Sequence, residues 1–582
     1  MIFEENTQLI TRKMLGKLLP PMIGSSLASC IGAVVIDFVL IATFCGTDGL
    51  AILAIYLPLT YIWDIIDDSF CSGATTLFAI AKGEKAPDKA QAIFSQSLTF
   101  VFFTSLLLGV VFSSLNPHLL DWFNLSNDLR PSAEKYGFFF AFALGANLFS
   151  NVARNFVNSD SAPNWAFVAV LVKLFFVIVL SIIFMGPMRS GVVGSQYALL
   201  IAGVVSSLVS LGYFTLGDSA LKLRFAVLTF RRCKDILKLS YCKIIENLGV
   251  ASLGVVFNYF LYHTFGSYAV VIQCALITIY ALFWSIGEPI IYAGCQIIGM
   301  YHGEEDNAGI KITAKTSMAV GLVISGIITL LLMGFPEMVG AVLALDVRSD
   351  SATWNNALRC FAVSVSLSFF NLFVLAYYQT IGKTTMSFLL SLARSFAFPL
   401  LVGCTLLLFS RLNLFWFYFV ISEVFVLLVL CAVVFLVSKK TGAIPFWLLP
   451  PQDYHDKLIY HFLISDKSAE LDDYIEMSVL FLENNGARAE HIALLPEGMK
   501  ILAGYALDHS KPGEPMIDFR IQLLADRQIK MSVRWIGEHS DFGDNPDGMT
   551  GITRLKELID DYYYDRIYGF HYVSVLFKGK GT

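Results

Sequence analysis

From about residue 18 to residue 437 the chain alternates long apolar runs with short polar breaks. Each run reaches the ~20 residues a helix needs to cross ~30 Å of hydrocarbon. The pattern predicts twelve transmembrane helices, near 18–45, 50–80, 93–115, 134–157, 164–185, 192–216, 237–262, 267–298, 311–334, 355–380, 386–409 and 413–437. After Lys439-Lys440 the period changes to short strands and amphipathic helices. A strand is expected at Leu458–Ile464, helices near 469–485 and 489–508, strands at 517–525 and 529–536, a helix at 551–562 and a last strand at 570–577. The expected fold class is an all-α polytopic membrane protein, twelve helices in two six-helix repeats, followed by a C-terminal α/β sandwich.

Composition agrees with two solvents for one chain. The 582 residues are 56% hydrophobic and 14% aromatic, far above a soluble average. The net charge of −5 conceals a split, because residues 451–582 carry 22 acids against 14 bases while the part before them is slightly basic. The ten cysteines form no CxxC pair and several lie in apolar runs, so they read as small hydrophobes rather than a disulfide or zinc framework. The apolar run after Arg12, Lys13 and Lys17 continues to Cys45, too long for a signal-peptide core, and is taken as a retained helix. Bases concentrate in alternate loops, above all Lys222, Arg224, Arg231, Arg232, Lys234, Lys238 and Lys243. The positive-inside rule then puts both ends of the membrane region in the cytoplasm of a multi-pass plasma-membrane protein. No feature points to nucleic acid.

The halves repeat with a shift of about 220 residues. Val34-Val35-Ile36-Asp37-Phe38, Gly46, Gly73-Ala74 and Lys82-Gly83-Glu84 lie over Val255-Val256-Phe257-Asn258-Tyr259, Gly266, Ala293-Gly294 and His302-Gly303-Glu304. Two halves of like topology imply a pseudo-two-fold axis along the membrane normal, with a binding site between or within them. The expected domains are 1–216, a basic linker 217–236, 237–440, a linker 441–454 and a soluble domain 455–582. Acids within the apolar runs mark the candidate site, since a carboxylate facing lipid costs several kcal/mol. Asp37 lies in the first run. Asp64, Asp67 and Asp68 lie in the second, on one helical face by spacing. The repeat sets Asn258 opposite Asp37 and Glu288 opposite Asp68. Lys173 is expected to snorkel, Glu246 to sit at the surface, and Arg394 is a plausible partner for Glu423.

These residues carry a resemblance. Leu19-Pro20, Ile36-Asp37, Gly73-Ala74-Thr75 and Lys82-Gly83-Glu84 resemble the first half of the multidrug and toxic compound extrusion family. Ile236-Leu237-Lys238-Leu239-Ser240, Gln296-Ile297-Ile298-Gly299, Tyr377-Tyr378-Gln379-Thr380-Ile381-Gly382-Lys383 and Ser391-Leu392-Ala393-Arg394 resemble the second. Over about residues 10–440 the resemblance implies a two-lobed antiporter that expels organic cations or other amphiphiles while H⁺ or Na⁺ runs inward. It implies that Asp37 is a coupling acid and that no cofactor is required. Phe176-Val177-Ile178-Val179-Leu180 departs from the family, which often has an Asn and an Asp four apart there. Lipid-linked substrate flippases share a similar architecture and are the alternative transport class.

Residues 455–582 resemble the ATP-binding fold of histidine kinases and anti-sigma kinases through Leu494-Leu495-Pro496-Glu497 and Gly548-Met549-Thr550-Gly551-Ile552. The resemblance offers Glu497, Gly537, Gly548 and Gly551 as nucleotide-side residues. However, Ile501 stands where that family has its metal-holding Asn, and Trp535 where it has its adenine-binding Asp. An Ile ligates no metal and a Trp accepts no hydrogen bond. The tail is therefore expected to be a non-catalytic regulatory domain that binds a cytoplasmic protein, with ATP not expected. A membrane-anchored signalling protein is the second alternative, disfavoured by this damaged box beside an intact membrane repeat. Expected partners are a small cationic or amphiphilic substrate and membrane lipids.

Overall fold

The computed structural model describes residues 2–34, 39–122, 129–217, 219–342, 351–409, 411–441, 458–464, 471–510, 516–524, 527–537, 550–567 and 570–578. The chain divides into two units: Leu18–Pro451, and a second made of Met1–Lys17 together with Gln452–Thr582.

Among the described residues eleven helices are long and apolar enough to cross a membrane. The first helix, α1 (Ile2–Val34), starts well before the expected residue 18. The second expected crossing is a rod not counted among the eleven: the part of α2 (Ile41–Asp68) beyond its break at Gly46, a π-helical stretch Ser69–Ala74, and α3 (Thr75–Gly83). Then follow α4 (Pro87–Trp122), α5 (Arg130–Ser159), α6 (Pro163–Met185) and α7 (Val193–Leu216). The linker forms a short helix α8 (Phe230–Lys238). The second half holds α9 (Tyr241–Phe265), α10 (Ser267–Gly303), α11 (Asn307–Gly334), the short α12 (Pro336–Val342) and α13 (Ser351–Thr380). Its next crossing is split into α14 (Thr384–Leu392) and α15 (Phe398–Leu407) by a π-helical stretch Ala393–Ala397. The short α16 (Leu412–Phe415) leads into α17 (Tyr418–Thr441).

The internal repeat reaches the backbone. Gly46 takes φ +62° and Gly266 φ +85°, a region open to glycine, and each sits at the break between two crossings. Lys85 (φ +60°) and Glu305 (φ +58°) turn the chain at the equivalent next corners. Ahead of those corners α3 and α10 cross at Gly83 and Gly303. A Cβ on Gly83 would lie 2.1 Å from the Met300 carbonyl oxygen, and one on Gly303 2.3 Å from that of Ile80. Backbone carbonyls cannot swing aside as a side-chain tip can, so only glycine lets the two halves meet there.

In the second unit β1 (Leu458–Ile464), α18 (Leu471–Asn484), α19 (Ala489–Asp508), β2 (Ile517–Leu523), β3 (Ile529–Trp535), α20 (Thr550–Leu558), β4 (Ile559–Ile567) and β5 (Phe570–Phe577) follow in order. The sheet is antiparallel in the order β1-β2-β3-β5-β4. The helix expected at 551–562 stops at Leu558. Ile559–Ile567, rich in tyrosine, becomes a strand because β5 supplies its ladder partner. One face of the sheet joins Phe462, Phe519, Val533 and Val575 to Leu495 and Leu502 of α19 in an apolar core.

The opposite face is polar and yet buried: His461, Asp518, Arg520, Ser532, Arg534, Tyr572 and Ser574 all lie there. Asp518 pairs with His461 and lies 3.6 Å from Arg520 and 4.0 Å from Arg534, whose guanidinium stacks 5.0 Å over the Tyr572 ring. The first turns of α1 belong to this unit. Thr7, Ile10, Thr11 and Met14, one helical face, are fully buried, and Lys17 Nζ lies 5.4 Å over the ring of Phe570, which is on the polar side of β5. The amino-terminal helix thus covers the polar face, an arrangement that the charge boundary near residue 450 does not reveal.

Two outcomes are expected. Gly83→Val or Gly303→Val should lower thermal stability in detergent by about 1–3 kcal/mol, while Gly326→Ala, where a Cβ meets nothing within 4 Å, should not. Burial opposes ionisation of Asp518, but His461, Arg520 and Arg534 overcome it and hold its carboxyl at about 2. A carboxyl depressed in the folded state stabilises above its unfolded pKa of about 3.9 and loses that stabilisation as pH falls toward 2. Asp518→Asn should therefore speed hydrogen exchange in β2 and β3 at pH 7, by an amount equivalent to about 3–5 kcal/mol. The gap from the native chain should shrink between about pH 4 and pH 2.

Candidate cation site

The acids of the second rod stand at its last α-helical turn, just before the π-helical stretch. Their side chains part company. Asn151 Nδ2 of α5 donates to Asp67 Oδ2 at 2.7 Å, and the Cys71 thiol to Asp67 Oδ1 at 3.0 Å. Asn247 Nδ2 of α9, in the other half, donates to Asp68 Oδ2 at 2.8 Å. Successive residues turn by about 100°, so Asp64 points between those two directions. It is exposed and, among the described residues, makes no hydrogen bond or ion pair. The single acidic face expected from the spacing is therefore a fan: Asp67 serves the first half, Asp68 reaches the second, and Asp64 is open.

Arg154 and Lys173 lie close enough to Asp67 to act on its charge. Lys173 does not snorkel, because its amine donates to Asn147 of α5. A partner on the adjacent helix satisfies the ammonium without a route to the headgroups.

In the second half the charges form a chain. Lys243 Nζ of α9 contacts Glu288 Oε1 of α10 at 2.6 Å and Glu246 Oε2 at 3.4 Å, and sits over the rings of Trp284 (4.9 Å) and Tyr292 (5.9 Å). Arg394 contacts Glu246 at 3.8 Å and Glu423 of α17 at 2.8 Å. It also donates to Ser368 Oγ, at 2.6 Å. Asn371 of α13 also donates to Glu423, at 2.7 Å. The Arg394–Glu423 partnership is as the sequence suggested, but Glu246 is buried at the centre of the network rather than at a surface. Asp68 lies within electrostatic reach of both Lys243 and Glu288. The two carboxylates set opposite each other by the repeat thus meet where the halves meet, with Lys243 between them.

Four carboxylates, Asp68, Glu246, Glu288 and Glu423, share two cations, Lys243 and Arg394. Such a set has spare negative charge in a setting where bare charge is costly, and a proton or a small cation would relieve it. The space is of that size. A cavity of about 150 Å³ touches Glu246, Tyr280, Arg394 and Glu423, and one of about 40 Å³ touches Lys243, Glu288 and Gln379. Both fall short of the ~300–1,000 Å³ of sites for drug-sized molecules.

The repeat also relates the two cations. Lys173 and Arg394 occupy equivalent positions, as do Asn147 and Ser368, their partners, and Asn151 and Asn371, which hold the acids. This correspondence was present in the sequence, at the same shift of about 220 residues, and marks the polar residues that the acids alone do not. Asn258 is not drawn in: it lies ~17 Å along α9 from Asn247, and its carboxamide oxygen is buried without a hydrogen bond among the described residues. Asp37 lies outside the described residues.

The proposed nucleotide residues are spread through ordinary structure. Glu497 is paired with Arg554 at 2.7 Å on the surface. Gly537 forms an isolated bridge with Ser510, and a Cβ there would lie 1.7 Å from the His509 carbonyl oxygen. Trp535 is fully buried in the apolar core, and Gly551 is in α20. Gly548 lies outside the described residues.

Residues 20–183 match the family described as MatE. Among curated proteins none matches the chain. A MATE structure in the bent conformation is similar at 19% identity and TM-score 0.67, over 76% of this chain and 97% of that one. A MOP superfamily transporter from Pyrococcus furiosus, described as having a binding pocket of reversed polarity, is similar at 18% identity and TM-score 0.66, over 76% and 98%. An outward-facing multidrug resistance MATE family transporter is similar at 19% identity and TM-score 0.65, over 74% and 96%. The membrane unit therefore has the MATE fold.

Removing one partner from a buried pair strands the other. Arg394→Gln should cost about 3–5 kcal/mol of stability in detergent, and adding Glu423→Gln should recover part of it, read as thermal unfolding.

Proposed function

We propose that the chain is a secondary transporter of the multidrug and toxic compound extrusion family that exports cationic or amphiphilic compounds in exchange for H⁺ or Na⁺. The observation that carries this reading is the surplus of carboxylate where the halves meet, on a MATE fold and beside a MatE match over residues 20–183. Asp68 and Glu288 belong to equivalent helices of opposite halves, so any rocking of the halves changes their separation and their hold on Lys243. A coupling cation would bind at Asp64 and Asp68, with Asp37 as the further acid implied by family resemblance. Its arrival would weaken the pull of Asp68 on Lys243 and leave that lysine to Glu288 and Glu246. The substrate needs more room than the two cavities of this network offer, so it would leave when the halves part on the side away from Gly83 and Gly303. The basic linker argues for a cytoplasmic position of that glycine crossing. The C-terminal unit is proposed as a regulatory, non-catalytic part that binds a cytoplasmic protein, with ATP not required.

Proteoliposomes under separate H⁺ and Na⁺ gradients test this. Gradient-driven uptake of a fluorescent organic cation is expected, reduced at least about tenfold in Asp68→Asn and Glu288→Gln, the loss of ~1.4 kcal/mol of transition-state stabilisation. Asp37→Asn and Asp64→Asn should shift its dependence on the coupling ion. Gradient-independent movement of a lipid-linked sugar instead would transfer the protein to the flippase class.

A further inference from the structure

The linker after α7 runs back along α4. Gln91 clamps the backbone of Lys222 from both sides, donating to its carbonyl at 2.7 Å and accepting from its N–H at 2.8 Å. Further on, the Ala226 N–H donates to Thr99 Oγ1 at 3.2 Å. From Gln91 to Thr99 is ~12 Å along the helix, and four extended residues cover about the same, so the linker lies alongside α4. It does so within the apolar span Pro87–Asp121. Its side chains suit that depth: Phe225 is 86% exposed, Val227 85% and Phe230 87%, in a chain segment that also carries Lys222, Arg224, Arg231 and Arg232. Exposed aromatic and aliphatic groups interleaved with bases belong in a membrane interface, not in water.

Beside this segment a groove of about 540 Å³ opens between α4, α5 and α7. Its walls are apolar, including Phe102, Phe142, Phe149, Val204 and Leu208, and Arg224 stands at its linker end. Among the described residues neither Arg224 nor Lys222 makes a side-chain ion pair. We propose that the groove holds one acyl chain of an anionic phospholipid from the leaflet on the linker side, with its phosphate held by Arg224 and Lys222. The commitment to an anionic lipid follows from two facts. A lipid chain gains little by leaving other chains for an apolar groove. Selectivity must therefore come from the headgroup, where each base near the membrane surface favours an anionic lipid. The site lies on the outer wall of the first half, apart from the carboxylate network, and its occupation does not depend on the transport reading.

The test is native mass spectrometry of the full chain from bilayers of equal phosphatidylglycerol and phosphatidylcholine. The intact protein is expected to retain phosphatidylglycerol at least about fivefold over phosphatidylcholine. Arg224→Gln with Lys222→Gln should bring the ratio near one, while Val204→Trp, which fills the groove from an already exposed position, should release both lipids. All variants should keep the native unfolding temperature. Equal retention of the two lipids by the intact protein overturns the proposal, and so does an unchanged preference in the doubly neutral variant. Displacement of the lipid by inorganic phosphate at millimolar concentration would make this a phosphate site and also overturn it. Occupation by the fluorescent organic cation in place of lipid would do the same.

Discussion

The membrane unit depends on sharing scarce positive charge among buried carboxylates. Lys243 stands between Asp68 of one half and Glu246 and Glu288 of the other, and Arg394 ties Glu246 to Glu423. In a low-dielectric setting each of these groups would be costly alone. The helices α9, α10, α13 and α17 are therefore bound to one geometry by groups that also link the two halves. Two π-helical stretches sit in the same region: one follows Asp68 directly and the other contains Arg394. An extra residue in a helical turn re-aims the side chains around it, which is how such stretches come to lie at functional sites.

The repeat shows how one scaffold carries two chemistries. In the first half Lys173 is held by Asn147, and Asn151 holds Asp67 of the second helix. In the second half Arg394 is held by Ser368, and Asn371 holds Glu423 of the last helix. The cation and the carboxamide keep their places, but the acid comes from a different helix. What is preserved is the satisfaction of a buried cation, which the backbone positions of α5, α6 and their counterparts make available. The partner acid was free to move because any helix that borders the same pocket can provide it.

The second unit meets the same difficulty with a different answer. A sheet with one apolar and one polar face can leave the polar side to water. Here that side carries a hydrogen-bonded contact between Asp518 and His461, two arginines and a cover from the first turns of α1. Burying the face raises the demand for complementary charge, and Arg520 and Arg534 on neighbouring strands meet it. Two positions of the nucleotide-box resemblance have structural roles in this unit: Trp535 fills core volume, and Glu497 is engaged by Arg554.

Much of this was legible along the chain. Run lengths predicted most of the crossings within a few residues, since a helix in lipid must be apolar for its full length. The repeat placed Glu288 opposite Asp68, and glycines at 46 and 266 marked equivalent breaks. The spacing of Asp64, Asp67 and Asp68 was also plain, but its meaning was not. Local sequence fixes the direction of a side chain only within its own helix, and the partners Asn151 and Asn247 lie about 84 and 179 residues away along the chain. The same limit hid the buried position of Glu246 and the partner of Lys173, and turned Ile559–Ile567 from helix to strand. Periodicity, charge and repetition, which are properties of neighbours in sequence, determined the class, the crossings and the set of acids. Which acid meets which cation, and which face of a sheet a distant helix covers, was decided by packing between segments far apart in the chain, because burial energy depends on what lies across the contact.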